Sequence, residues 1–339
     1  MKIKYYILFV ALFLSACAVR KDFTPKEISG DAKIKSTLSD SIAYQTKTFA
    51  LLSNNDVLSP NGDIKALFNQ SDLNNGASFI NQSGGYDIYT PNCKEIVLSK
   101  DGEDLHFPTS SCALNASVNG EKLAFISKDN SFGIYDIKTQ KLDFSDKGAN
   151  ASAINALSAS PIFDPKDPQK VLFPLLDGKV VEVKNNAIIK SAIVSSDTFF
   201  SNVIFLGFLQ DLPITATSKR LLVLNTDNSF EANIQDVALS GDKIYVLTLD
   251  GKIIELDKNV KKMREIRLPY AILSSPIIKN NKLFALEKGG FLISVDLASF
   301  KLKVYEVRNK FGKHIPNKFA FYSKNRLFYD YYELDLNDK

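Results

Sequence analysis

The sequence has no tryptophan, only two histidines and only three cysteines among its 339 residues. His106 and His314 lie in unrelated contexts, so no histidine pair has the spacing of a metal site. The sequence also lacks a Gly-x-Ser-x-Gly elbow, a P-loop and a Gly-x-Gly-x-x-Gly segment. These absences argue against the enzyme classes that such motifs define. We therefore predict no catalytic, cofactor-binding or metal-ligating residue.

An excess of charge of one sign is lacking as well. The net charge is +4, and removal of residues 1–16, which include Lys2 and Lys4, leaves 42 − 2 = 40 basic residues against 38 acidic ones. A nearly neutral chain argues against nucleic acid as the main partner. The hydrophobic content of 45% is sufficient for a full core and excludes wholesale disorder.

The N-terminus lacks an apolar run long enough for a confident membrane span. A short basic start precedes an apolar run from Tyr5 to Leu14, which is typical of a signal peptide. The run ends in Leu14-Ser15-Ala16-Cys17, which resembles the bacterial lipobox. The resemblance implies that a signal peptide of residues 1–16 is removed and that acyl chains on Cys17 anchor the protein stably. An ordinary signal peptide that contains a cysteine is the alternative.

Ala18 follows the cysteine of the lipobox. In lipoproteins sorted in the enterobacterial manner, an Asp at this position retains the protein in the inner membrane. Its absence favours the outer membrane, with the protein facing the periplasm. Residues 17–40 are mostly polar and lack a hydrophobic period until their end, so they are predicted to form a flexible tether. Residues 41–339 form the predicted folded domain.

A unit of about four short strands recurs along that domain. Residues 273–297 show its form, with alternating apolar runs separated by the tight-turn signals Asn280-Asn281 and Gly289-Gly290. The second turn recurs near residues 62, 93, 130, 178, 219, 251 and 290, which gives a mean spacing of (290 − 62)/6 = 38 residues. A period near 40 with about four strands per repeat is typical of a β-propeller.

Seven copies and a shorter last copy from Asn317 predict an all-β, eight-bladed β-propeller of four-stranded antiparallel blades. Seven blades are the alternative, because the first two copies are irregular. The last copy leaves no room for a fourth strand. Residues 34–43 are placed to supply it, so that the N- and C-terminal segments together close the ring.

Cys93 and Cys112 are the two cysteines outside the lipobox. In the repeat alignment, Cys93 lies at the turn between the second and third strands of one blade. Cys112 lies at the start of the innermost strand of the next blade, on the same face of the propeller. In the oxidising periplasm we expect a disulfide between these neighbouring blades. Two buried free thiols are the alternative.

Acidic residues recur in phase with the repeat, in the third strand of several copies. Because they follow the repeat, we interpret them as residues that hold strand ends and turns, not as an acid/base pair. They are Asp136, Glu182, Glu255, Asp257, Asp296 and Asp335.

The repeat resembles the PQQ-like propeller repeat, whose usual form is Ser-Pro-Val-Val, a turn, an aromatic-Val strand, Asp-Gly and a strand ending in Ala-Leu-Asp. The resemblance covers about residues 50–337. In quinoprotein dehydrogenases of this type, tryptophans pack neighbouring blades together. A tryptophan also lies below the cofactor, and a pair of adjacent cysteines lies above it. This chain has neither, so the resemblance implies the fold without a cofactor. The matching segments are Ser275-Pro276-Ile277-Ile278, Lys243-Ile244-Tyr245-Val246, Asp250-Gly251-Lys252 and Glu255-Leu256-Asp257.

A lipid anchor, a polar tether and a PQQ-like propeller without cofactor together resemble the propeller lipoprotein of the outer-membrane β-barrel assembly machinery. This resemblance implies a non-catalytic scaffold whose loops on one face bind the periplasmic domains of the central barrel protein. No loop motif matches, so no contact residue is transferred from that family. The alternatives are another periplasmic protein- or ligand-binding propeller and, least favoured, a quinone-dependent dehydrogenase.

Overall fold

A computed structural model describes residues 22–151, 158–195, 201–309, 311–313, 320–323 and 326–337. Within these residues almost all regular structure consists of β-strands, and one helix, α1 (Gln70–Asn74), is only five residues long. The strands form eight sheets of four antiparallel strands each, and one of these sheets has a fifth strand added in parallel at its outer edge. The first strands of neighbouring sheets lie side by side around a centre, so each sheet is one blade of an eight-bladed propeller.

The blades are numbered in chain order, and the strands of each are given from the centre outwards. Two strands, β1 (Gly30–Ala32) and β2 (Ile34–Thr37), precede blade 1. Blade 1 comprises β3 (Ile42–Gln45), β4 (Ala50–Leu52), β5 (Val57–Leu58) and β6 (Ile64–Lys65). Blade 2 comprises β7 (Ser78–Ser83), β8 (Tyr86–Thr90), β9 (Glu95–Lys100) and β10 (Glu103–Pro108). Blade 3 comprises β11 (Ala113–Asn119), β12 (Lys122–Ser127), β13 (Ser131–Asp136) and β14 (Lys141–Lys147).

The middle blades follow the same order. Blade 4 comprises β15 (Ile162–Phe163), β16 (Lys170–Pro174), β17 (Lys179–Lys184) and β18 (Ala187–Ile193). Blade 5 comprises β19 (Phe205–Leu209), β20 (Leu212–Ala216), β21 (Arg220–Val223) and β22 (Ser229–Glu231). Blade 6 comprises β23 (Ile234–Ser240), β24 (Lys243–Thr248), β25 (Lys252–Leu256) and β26 (Lys262–Arg267).

The last two blades contain the N-terminal strands. Blade 7 comprises β27 (Leu273–Lys279), β28 (Lys282–Glu287), β29 (Phe291–Asp296) and β30 (Leu302–Val307), with β1 outside β30. Blade 8 comprises β31 (Ala320–Ser323), β32 (Arg326–Tyr329) and β33 (Tyr332–Leu334), with β2 as its fourth strand. The prediction of eight blades is therefore confirmed, and the seven-bladed alternative is wrong.

The second and third strands of most blades are buried along most of their length because neighbouring blades cover both of their faces. In β12, β24 and β28 every residue after the first is buried. The outermost strand β14 has no buried residue. A middle strand packs against a neighbouring blade on either side, so the side chains on both of its faces are buried.

Aliphatic and aromatic side chains fill the spaces between blades, and none of them is tryptophan. Between blades 2 and 3, for example, Ile88 and Leu98 of one blade pack with Leu123 and Phe125 of the other. A separate core of this kind lies between blades 6 and 7. Each core needs two adjacent blades, so one blade alone would leave its faces exposed.

Side chains of the innermost strands also hydrogen-bond to the backbone of the next blade. Asn81 Nδ2 donates to the carbonyl oxygen of Ala116 at 2.9 Å, and Ser275 Oγ donates to that of Ala320 at 2.9 Å. Asn115 Nδ2, which is buried, donates to two consecutive carbonyl oxygens of the following blade, those of Ser158 and Ala159. Buried polar groups require such partners, and these bonds set the height of each blade relative to the next.

The ring closes where an N-terminal strand completes the last blade. β2 pairs antiparallel with β33, with Ile34 opposite Leu334 and Thr37 opposite Tyr332. The innermost strands β3 and β31 of blades 1 and 8 lie in contact. Closure by residues near 34–43 is thus confirmed, although the strand covers only Ile34–Thr37 and Ile42 already begins blade 1.

Three local details differ from the sequence interpretation. Strands begin at Gly30, inside the segment expected to be a tether, because β1 pairs in parallel with β30. Gly62 lies between β5 and β6, so the predicted first copy of the repeat is one strand out of phase. Its true second turn, residues 53–56, is Ser-Asn-Asn-Asp and has no glycine, although Asn55 takes a positive φ there.

One buried carboxylate joins the three segments that meet at the closure. Glu333 on β33 accepts from Arg326 Nε at 2.9 Å and from Arg326 Nη2 at 2.8 Å, and it also accepts from Ser36 Oγ on β2. Arg326 Nη1 donates to the Gly62 carbonyl oxygen of blade 1 at 3.0 Å. The Arg326 hydrogen bonds outweigh the opposing effect of burial and lower the pKa of Glu333 from 4.5 to about 2.

Deletion of residues 30–37 should remove the outer strand of blade 8 and destabilise the whole ring. The lost pairing would also expose the outer edges of β30 and β33, so we expect a lower melting temperature and aggregation. Lys26→Ser/Glu27→Ser, which changes exposed residues of the same segment and leaves buried Phe23, β1 and β2 in place, is the control. Thermal unfolding monitored by circular dichroism and light scattering compares the two. If the protein without residues 30–37 melts at the wild-type temperature and does not aggregate, closure by β2 is refuted.

Replacement of Glu333 by Gln should change the dependence of stability on pH. A carboxylate with a lowered folded-state pKa stabilises fully above pH 4.5 and loses this effect as the pH falls towards 2. We therefore expect Glu333→Gln to lower the free energy of unfolding by about 3 kcal/mol at pH 7 and by progressively less below pH 4.5. Urea unfolding from pH 7 to pH 3 measures this, with Glu103→Gln on exposed β10 as the control. If Glu333→Gln lowers the free energy of unfolding by the same amount at pH 7 and at pH 3, the prediction is contradicted.

Candidate protein-docking surfaces

Two cysteines join neighbouring blades on one face of the ring. The structure links Cys93 and Cys112 in a disulfide, with their Cα atoms 3.9 Å apart. Cys93 lies between β8 and β9 of blade 2, and Cys112 directly precedes β11 of blade 3. We call this face, which carries the second turn of each blade and the connections between blades, the connection face.

The recurring acidic residues hold turns and strand ends. Asp136 accepts from the backbone N and the hydroxyl of Thr139 at 2.8 and 2.9 Å, and Asp296 accepts from the same two groups of Ser299 at 2.8 Å each. Asp257 and Asp335 also accept from backbone N–H groups two residues later. The Thr139 backbone bond and then Lys122 lower the pKa of Asp136 to about 2. These carboxylates are already engaged, as architectural residues should be.

The other two acids of this set form ion pairs with basic residues. Arg264 binds Glu255 through two nitrogens and donates to the Leu297 and Ala298 carbonyl oxygens of blade 7. Glu182 lies 3.6 Å from Lys170 Nζ and accepts from Asn225 Nδ2 of blade 5. Both acids therefore contribute to contacts between blades, a function that local sequence could not reveal.

Neither histidine takes part in a metal centre that the structure describes. His106 lies on outermost strand β10 with its Nδ1 2.9 Å from Glu95 Oε2, and its side chain is largely exposed. His314 lies outside the described residues. Across the described ranges, no three His, Cys, Asp or Glu residues are placed to hold a metal ion together.

An ion pair that the sequence analysis missed crosses the centre of the propeller. Lys47, between β3 and β4 of blade 1, binds Asp236 on innermost strand β23 of blade 6, and both side chains are mostly buried. Burial, together with the charge of Asp236, raises the pKa of nearby Tyr322. The two charged residues are 189 positions apart, so no local pattern could have paired them.

The outermost strand of blade 4 is an uncovered, mostly apolar edge. β18 has the sequence AIIKSAI and pairs only with β17 among the described strands. Ile189 and Ile193 are 53% and 60% exposed, and Ile188 is exposed as well. An unpaired edge of this kind presents free backbone donors and acceptors to another chain.

The other long outer edges of the described ring are charged or covered. β14 and β26 each contain four charged residues, and β10 contains two acids and a histidine. β1 covers β30, and β2 covers β33. β18, by contrast, contains a single charge, Lys190, which reaches Asn225 of blade 5. The repeat places β18 fourth in its blade, but its apolar run did not indicate that this outer strand stays exposed.

The fold and these surfaces define an eight-bladed β-propeller with an apolar blade edge available for protein contacts. No protein-family model matches the chain. Plasminogen-binding protein PgbB of Helicobacter pylori, in strains J99 and 26695, is 33% identical over 389 aligned residues, which span 98% of this chain and 71% of the relative. The chain therefore belongs to the family of PgbB.

Solved structures with the same fold are much more distant in sequence. The C-terminal WD40 domain of Sif2 has a TM-score of 0.65 at 12% identity and covers 91% of this chain and 99% of that chain. BamB from Moraxella catarrhalis has a TM-score of 0.62 at 14% identity and covers 93% and 98%. Sqt1 from Saccharomyces cerevisiae has a TM-score of 0.58 at 11% identity, with the same coverage. At such identities the likeness shows the propeller fold alone.

The predicted lipid attachment site lies outside the described residues, as does the whole of residues 1–21. In the described part of the chain, α1 falls far short of the length and apolarity needed to cross a bilayer.

The disulfide should stabilise the domain measurably. It closes a loop between residues 19 positions apart, for which the chain-entropy model gives about 3 kcal/mol. We expect the double variant Cys93→Ser/Cys112→Ser to lose this amount in urea unfolding. The wild type should lose the same amount in reductant, and the variant should not respond to reductant. Alkylation of both cysteines in the native protein without reductant, detected by peptide mass mapping, would show that the bond is not formed.

Proposed function

We propose that this protein is a non-catalytic, lipid-anchored outer-membrane protein that faces the periplasm and binds protein partners by strand addition at β18. The observation that carries the proposal is the exposed, nearly uncharged outer edge of blade 4. Membership of the PgbB family supports a protein as the partner, because the relatives are named for binding a protein.

The edge has the length and composition that strand addition requires. Seven residues of β18 extend over about 23 Å, enough for a partner segment of similar length. Backbone hydrogen bonds supply affinity in this mode, and the side chains of Ile188, Ile189 and Ile193 supply apolar contact. The chain itself shows that a blade edge accepts a fifth strand, since β1 pairs with β30 in this way.

A scaffold role in the assembly and insertion of β-barrel outer-membrane proteins is the first candidate for the biological setting. The lipobox at Cys17 and the resemblance to the propeller lipoprotein of the assembly machinery support it, and BamB shares the fold. The partner would be the periplasmic domains of the central barrel protein of that machinery, and we assign no cofactor or catalytic residue. Plasminogen is the second candidate partner, favoured by the 33% identity with PgbB.

Charged substitutions in β18 should abolish partner binding without unfolding the domain. Ile189→Lys/Ile193→Lys places charges on an exposed edge, so stability should hold while affinity for the partner falls at least tenfold, or about 1.4 kcal/mol. Leu142→Lys/Met263→Lys alters exposed apolar residues on the outer strands of blades 3 and 6 and is the matched control. The measurement is recovery of the central barrel protein from detergent-solubilised membranes, with binding to purified plasminogen measured in parallel.

The pattern of results separates the two candidates. Loss of the recovered barrel protein with β18 variants only, and lower outer-membrane barrel levels in a deletion strain, would support the scaffold role. Loss of plasminogen binding with the same variants would support the second candidate. If both variants bind both partners as the wild type does, β18 is not the docking edge and the proposal fails.

A further inference from the structure

The N-terminal segment is fixed against blades 6 and 7 almost from its first described residue. Phe23 is 8% exposed, packs in the core between these blades and makes an edge-on contact with Phe291, with ring centroids 5.6 Å apart. The segment from Asp22 lines a cleft of about 620 Å³ with Leu268, Pro269 and Tyr270 of the connection between the two blades. From Phe23 onwards, the segment expected to be a flexible tether therefore packs against the propeller.

The short remaining connection limits how far blades 6 and 7 can lie from an anchored Cys17. Five peptide steps separate Cys17 from Asp22, and five residues of extended chain span at most about 18 Å. A bilayer holding acyl chains on Cys17 would therefore lie beside the connection between blades 6 and 7. This step rests on the lipid anchor proposed above.

Three exposed apolar side chains lie on the connection face in this sector. Tyr270 belongs to the connection between blades 6 and 7 and is 55% exposed, and Phe311 belongs to the connection between blades 7 and 8 and is 76% exposed. Leu249, in the second turn of blade 6, is half exposed. The Leu268 backbone N donates to the Gly251 carbonyl oxygen at 2.7 Å, which holds the Leu249 turn against the Tyr270 connection.

Glycine is required at the turn that brings these two loops together. Gly251 has a φ of +76°, and a Cβ there would lie 2.1 Å from the Leu268 carbonyl oxygen. Any side chain would therefore push the turn of blade 6 away from the connection.

Cations accompany the apolar residues, and three of the nearby acids are bound to other groups. Arg267, Lys288 and Lys313 are exposed, and none has an ion-pair partner among the described residues. The acids Asp250 and Glu306 form ion pairs with Lys252 and Arg308, and buried Glu287 accepts from the Gly289 backbone N at 2.6 Å. Exposed Asp22 and Glu27, which line the cleft beside Arg267, are balanced by Lys26 and Arg267, so Lys288 and Lys313 leave an excess of positive charge.

We infer that this sector of the connection face rests on the phospholipid headgroup layer of the membrane in which Cys17 is anchored. We call it the membrane rim and define it by Leu249, Arg267, Tyr270, Lys288, Phe311 and Lys313. Aromatic side chains favour the boundary between headgroups and acyl chains. Each basic residue close to an anionic surface adds electrostatic attraction. The anchor limits the distance between the protein and the bilayer, and the membrane rim sets the orientation of the propeller on the bilayer.

Tryptophan fluorescence tests the inference directly, because the natural chain contains no tryptophan. The variants Tyr270→Trp and Phe311→Trp each place one probe on the rim, and Leu142→Trp places a matched probe on the outer strand of blade 3. Each full-length protein is reconstituted into vesicles of phosphatidylethanolamine and phosphatidylglycerol that contain brominated lipid. We expect blue-shifted emission and at least about twofold stronger quenching at the two rim probes than at the control.

A charge-reversal set tests the electrostatic part. Arg267→Glu/Lys288→Glu/Lys313→Glu in the Tyr270→Trp background should remove most of the quenching. Lys94→Glu/Lys128→Glu/Lys138→Glu, an equal change on exposed lysines of blades 2 and 3, should leave it in place. Added salt should also reduce the quenching of the Tyr270→Trp probe, because salt screens the attraction between the basic residues and the anionic lipids.

The outcomes for the rim and for the anchor are distinguishable. Intact mass reports whether Cys17 is acylated. An acylated protein with equal quenching at all three probes overturns the membrane rim and leaves the anchor intact. A protein without acyl groups that still shows quenching at the rim probes keeps the rim and overturns the anchor. A protein that carries no acyl group and shows no extra quenching at the rim probes overturns both the anchor and the membrane rim.

Discussion

Pairing of β2 with β33 is the contact on which the rest of the molecule depends. Each apolar core between blades needs two adjacent blades, so an open ring would leave one face of blade 8 and one face of blade 1 in water. The short final copy of the repeat has three strands of its own and takes its fourth from the N-terminus. The Glu333 carboxylate reinforces this joint by binding Ser36, on β2, and Arg326, which in turn reaches blade 1.

The closed ring then decides which surfaces remain for partners. The outermost strands of blades 7 and 8 are β1 and β2, which have only three and four residues and therefore offer short edges to a further strand. Four charges on each of β14 and β26 disfavour strand addition there. β18 remains as the long, apolar edge of the described ring. Because the membrane rim occupies the connection face near blades 6 to 8, an anchored propeller would leave the outer edge of blade 4 accessible from the side.

The number of blades and most of their turns could be predicted because both are local properties of the chain. Asn119-Gly120 and Asp250-Gly251 lie at tight turns between consecutive strands, and the spacing of such signals counts the blades. The positions of Asp136 and Asp296 at strand ends could be predicted from their place in the repeat. The interpretation was out of phase in blade 1, where two-residue strands and a turn without glycine at residues 53–56 gave no comparable signal.

By itself the sequence determined the all-β class, the period of the repeat and most of the second turns. Only the tertiary structure brought Lys47 to Asp236 and Asn115 to the carbonyl oxygens of Ser158 and Ala159. It also decided that β1 pairs in parallel with β30 and that β18 stays uncovered. Turns and strands depend on neighbours a few residues apart. Contacts between blades depend instead on where ring closure places segments that are distant in the chain.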